Sequence, residues 1–120
     1  MPNNVPFNLT DDERELLCRG LLEWGGPASP TNAMAVAMGF RDVSDLHKEG
    51  SQLRADISEG RPLLYADWRR ALLATEIVFA SDVVGSGVEW STTTGLQDEE
   101  TIRMLRSIQR KLVAAPGNAW

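Results

Sequence analysis

The chain has 120 residues, 42% of them hydrophobic and 24% charged, with a net charge of -5, one cysteine and one histidine. That is the length of one domain with room for a real core, at the composition of a globular protein. The lone Cys18 excludes an internal disulfide, no apolar run approaches the ~18 residues of a membrane span, and the acidic balance argues against nonspecific binding to nucleic acid.

The charge is unevenly placed. Residues 1–60 hold ten acidic and five basic side chains, whereas residues 61–120 hold seven of each. A surplus of this kind suits solubility or a basic partner. The start of the chain, MPNNVPFNLT, lacks a basic region followed by an apolar run, so no signal peptide is read and the expected location is cytoplasmic.

Residues 1–8 read as a Pro/Asn tail. Thr10-Asp11-Asp12-Glu13 then has capping-box spacing, in which the hydroxyl takes the amide three residues on and the Glu returns to the cap amide. Leu16, Leu17, Leu21 and Trp24 repeat at helical spacing until Gly25-Gly26-Pro27 ends the first helix. Ser29-Pro30 predicts a cap and first turn for a short second helix to Met38, stopped by Gly39, with Phe40 tucked into the core. Asp42 or Ser44 starts a third helix with Val43, Leu46, Leu53 and Ile57 as its apolar stripe. Gly50 lies on the same side, either as a point of close approach or as a bend. Gly60-Arg61-Pro62 ends it.

The fourth helix is the centre of the expected fold. Trp68 to Val84, extended back to about Leu64, is apolar nearly all the way round, and a helix with no wet face must sit inside something. Gly85-Ser86-Gly87 ends it, and residues 86–95 read as a short irregular or extended segment. A fifth helix runs from Asp98 to Ala114, acidic in its first turn and basic in its later ones, with Ile102, Leu105, Ile108 and Leu112 facing the core. Pro116-Gly117 closes it, leaving a tail with Trp120. The predicted fold is therefore all-α: a single domain over residues 9–115, an irregular bundle of about five helices around the fourth.

Five constellations bear on function. Glu76 and Asp82 lie on the apolar helix, with Arg69 two turns before Glu76. They read as buried polar groups that fix how the helix docks, or, with raised pKa, as an acid or base. Arg103, Arg106 and Arg110, spaced by three and four, project from one helix face. They fit a carboxylate or phosphate clamp, pairing with Glu76 or Asp82, or a solvated face. Glu89-Trp90, beside a Ser/Thr run, reads either as the lining of a groove or as a core plug under a long loop. The second and third helices have helix-turn-helix proportions, with Ala35 four residues before Gly39. The next expected apolar position falls on Asp45, and the would-be reading helix opens with Asp42, Asp45 and Glu49. Finally, Cys18 and His47 sit on different helices, and two such residues are too few for a nitrogen and sulfur metal site. The acid clusters at 11–13 and 98–100 are explained by helix first turns.

The expected function is that of a nonenzymatic binding protein working through a protein partner, like an immunity protein or an antitoxin. No catalytic set, metal or cofactor is read. The alternatives are a small-ligand or anion-binding domain built on the 85–95 loop with the arginines of the last helix, and a helix-turn-helix regulator. With four tryptophans available, a homodimer is a further expectation.

Overall fold

The computed structural model describes residues 4–5, 7–26 and 28–115, with Asn4 and Val5 described through their backbone. Pro27, Pro116-Gly117 and Trp120 lie outside the described residues. The architecture is all-α, as predicted: six helices and one two-stranded ladder among the described residues. No helix there is long and apolar enough to cross a membrane.

The chain enters through β1 (Asn4–Val5), which pairs antiparallel with β2 (Leu63–Leu64), Asn4 opposite Leu64. Phe7 then inserts beside Trp68 in edge-to-face contact, 4.8 Å between centroids. This part of the expected tail is thus held by a ladder and an aromatic pair. Helix α1 (Asp11–Glu23) opens with the predicted capping box: Thr10 Oγ1 accepts from the Glu13 amide at 3.1 Å, and Glu13 Oε1 accepts from the Thr10 amide at 2.9 Å. Leu16, Leu17, Gly20 and Leu21 are buried along one side, and the Trp24 indole donates to the Ala74 carbonyl at 2.9 Å.

Helix α2 (Asn32–Ala37) starts later than its predicted Pro30, because Thr31 rather than Ser29 caps it. Thr31 Oγ1 accepts from the Met34 amide, while the Ser29 amide donates to the Val84 carbonyl, in the turn that follows the fourth helix. Gly39 turns the chain with φ +101°, and Phe40 is buried under the Arg70 guanidinium, 4.8 Å above its ring. Asp42 caps α3 (Val43–Ser58) by accepting from the Asp45 amide at 2.7 Å.

Helix α4 (Tyr65–Ala80) packs on α1, α3 and α6, and α1 touches the same set. Within this bundle α1 crossed on α4 is the most extensive pairing, and both helices carry the core. The crossing is close because Gly20 lies flat against Thr75. α4 stops four residues before the predicted Val84. Ser81 leaves the helical conformation, its hydroxyl accepts from the Val83 and Val84 amides, and the Ser86 amide takes the Val78 carbonyl at 2.7 Å.

After a 3₁₀ turn at Gly87–Glu89, residues 90–94 form the one-turn α5 (Trp90–Thr94), not an extended segment. Thr94 Oγ1 donates to the Trp90 carbonyl at 2.6 Å, and Gly95 ends the turn with φ +77°. Helix α6 (Asp98–Ala114) has its predicted bounds. Its buried face is Thr101, Leu105, Ile108 and Leu112. Ile102 turns outward because Thr101 takes the inner place, accepting the Trp90 indole hydrogen bond at 2.9 Å. Trp24, Trp68 and Trp90 are all core residues, so none of them is an interface anchor.

Candidate functional site

The expected site on the 85–95 loop does not assemble. Trp90 is 0% exposed, stacked edge-on to Phe79 at 5.5 Å, whereas Glu89 is exposed. The cavity beside this loop, about 300 Å³, is lined by Phe79, Ala80, Asp82, Gly87, Val88 and Asp98. It carries two acids and none of the three arginines.

The expected buried polar set is also redistributed. Arg69 is exposed and Glu76 half-buried. Asp82 is exposed because α4 ends before it, and its Oδ1 accepts from the Val88 amide at 2.7 Å, holding the turn. Glu76 accepts from Gln109 Nε2, and Gln109 Oε1 accepts from Arg106 at 3.0 Å, so Arg106 is linked to Glu76 through a glutamine.

The buried acids are others. Glu13 and Glu23 of α1 are 3% and 6% exposed, and Asp45 is buried beside Arg41. In the sequence Glu13 reads only as part of a capping box; the signal of its burial is its place three and four residues before Leu16 and Leu17, on the inner face. Its carboxylate takes hydrogen bonds from Lys111 on α6 and from the Thr10 amide. Burial pushes this carboxyl up. The hydrogen bonds from Lys111, Ser107 and the Thr10 amide, with the Lys111 charge, outweigh burial and hold it below the usual range. A folded-state pKa below the unfolded one stabilises the fold above the unfolded value and loses that contribution as pH falls through the folded value. The urea midpoint is therefore expected to fall on acidification below about pH 4, and Glu13→Gln to flatten that fall. An unchanged acid limb in Glu13→Gln would place the titrating groups elsewhere.

Glu23 has no such local signal. Its Oε1 accepts from Ser86 Oγ at 2.7 Å and from Thr93 Oγ1, tying the turn after α4 and the short α5 to the end of α1.

The α2–turn–α3 unit is present, but its leading end is acidic and closed. Asp42 is used as a cap, and Asp45 is buried, accepting from the Arg41 amide and guanidinium. Cys18 is half-buried and donates to the Arg54 carbonyl. Burial and the nearby Glu15 push its thiol up, against the pull of Arg54 and Arg14. No group of three or more metal-ligating side chains gathers among the described residues.

What remains is the outward face of α6. Arg103, Arg106 and Arg110 are all exposed on it. Arg103 and Arg110 make no ion pair among the described residues. Ile102, 48% exposed, flanks the arginines, with exposed Val113 near the end of the helix. Of the predicted site residues, these three arginines share the outward face of α6, while Arg69 and Glu76 line a cavity of about 230 Å³ between α4 and α6. No family model matches the chain, and neither a curated protein nor a solved structure matches it.

Proposed function

We propose that the protein is a nonenzymatic binding protein that works through a protein partner, in the manner of an immunity protein or antitoxin, and that the partner brings an acidic surface to the outward face of α6. The observation that carries this is the exposed stripe Arg103, Arg106, Arg110 with Ile102 beside it. Several other cations are paired within the fold: Lys111 on Glu13, Arg70 on Asp67, Arg61 on Asp56 and Glu59. The stripe makes no such pair among the described residues. Guanidinium groups suit a protein interface because they present forked donors and are weakly hydrated, and an apolar neighbour supplies area that the charges cannot.

The test is affinity capture from the native host with the wild type and with the triple variant Arg103→Glu/Arg106→Glu/Arg110→Glu. A control, Lys48→Glu, changes an exposed cation on α3 that makes no ion pair among the described residues. Capture that is lost in the triple variant, kept in the control and weakened by salt is the expected result. Recovery of the protein alone, or equal capture by the triple variant, overturns the proposal.

A further inference from the structure

The acid-rich first half of the chain has only five lysines and arginines, and three of them gather in one place. Arg19 and Arg54 line a groove between α1 and α3, and Arg14 is anchored just beyond it, donating to the Ile57 carbonyl at 3.3 Å. The groove holds about 470 Å³, within the roughly 300–1,000 Å³ of small-molecule sites. It is open because α3 presents Ala55 and Ser58 where larger side chains would close it, and α1 meets them with Cys18 and Leu22. One acid, Glu15, lines it, and that carboxylate is engaged by Arg19 Nε at 2.8 Å. Arg54 has no side-chain partner among the described residues, so its guanidinium charge is unbalanced. The floor is neutral: the Cys18 thiol donates to the Arg54 carbonyl, and burial disfavours its thiolate.

We propose that this groove is a binding site for a small organic anion, a carboxylate or phosphate carried on a compact apolar body. Arg54 is the principal counter-charge, with the outer nitrogens of Arg19 and the Ser58 hydroxyl beside it. A forked guanidinium matches either anion, and Leu22 and Ala55 offer apolar surface to the body. The site is separate from the α6 stripe and does not depend on the protein-partner reading.

Cys18 is the only cysteine, so it reports occupancy directly. The experiment measures its alkylation by N-ethylmaleimide, an uncharged reagent, in the presence of benzoate, phenyl phosphate or neutral benzyl alcohol. The thermal midpoint is read in parallel. At least one anion is expected to slow alkylation by about tenfold when about nine-tenths of the sites are filled, and to raise the midpoint. Benzyl alcohol is expected to do neither. In Arg54→Gln, whose exposed side chain makes no hydrogen bond or ion pair among the described residues, both effects disappear while the protein stays folded. The proposal is overturned if neither anion slows alkylation or raises the midpoint. It is also overturned if benzyl alcohol protects equally, or if Arg54→Gln keeps the protection.

Discussion

Replacing Gly20 with alanine is expected to cost about 3 kcal/mol, at the upper end of the cost of overpacking a core. The substitution is the mildest one available, and helix propensity alone would favour it by roughly 1 kcal/mol. Packing decides the other way. A Cβ built on Gly20 falls 2.7 Å from both Cβ and Cγ2 of Thr75, and closer still to its Oγ1. Thr75 cannot yield. It is fully buried, β-branched, and held by its hydroxyl on the Ala71 carbonyl at 2.9 Å. The new methyl must therefore push α1 off α4, the crossing on which both central helices rely. Gly50 is the control. It too is buried mid-helix, but a Cβ there meets nothing nearer than 4.0 Å, from Leu21 and Leu46. Gly50→Ala is expected to raise stability by about 0.5–1 kcal/mol. Urea midpoints of the two variants should move in opposite directions. A Gly20→Ala protein as stable as the wild type would mean that the helices do not approach this closely.

These two glycines also show what the sequence can and cannot disclose. Gly50 raised the question of close approach or bend, and the structure shows neither. Gly20, which makes the close approach, sits among Leu16, Leu17, Leu21 and Trp24 with no local mark of its role. Signals that act over three or four residues were legible: the Thr10–Glu13 box, the Asp42 cap, and both ends of α6. Those that depend on residues far apart in the chain were not. Val83 and Val84 continue an apolar run, so α4 reads as longer than it is; the end at Ser81 is set by a turn that folds back onto the Val78 carbonyl. That one displacement takes Asp82 out of the helix and to the surface. Trp90 shows the same limit. A tryptophan beside Glu89 reads equally as a groove wall or a core plug, and only the Thr101 hydroxyl, eleven residues on, decides between them. The arginine stripe was legible because it needs only helical spacing. The groove at Arg54 was not, because it joins residues 15–22 to residues 54–58.

The second large effect is expected at Glu23, where alanine should cost about 2–3 kcal/mol. This carboxylate is buried and is the acceptor for the Ser86 hydroxyl, itself 4% exposed. Truncation leaves that hydroxyl in the interior with no acceptor, a penalty of about 1–3 kcal/mol, and adds a cavity where the side chain stood. Thr93 suffers less, since its hydroxyl also reaches the Glu89 carbonyl at 3.2 Å. Glu23→Gln keeps an oxygen for the same donors and is expected to lose about 1 kcal/mol, because its new amide donors find no obvious acceptor. The distribution of the loss matters as much as its size. The bond joins positions 63 residues apart, so it holds the 86–94 segment down without contributing to any helix's own ladder. Hydrogen exchange in Glu23→Ala should therefore quicken first at the amides of 86–94, with α6 and the inner turns of α1 still protected. In the Glu23→Ala/Ser86→Ala double variant, part of the loss should be recovered, since the stranded hydroxyl is gone. Uniform loss of protection across the fold, or strictly additive single losses, would mean that Glu23 contributes only general packing and that the segment before α6 is held by Trp90 alone.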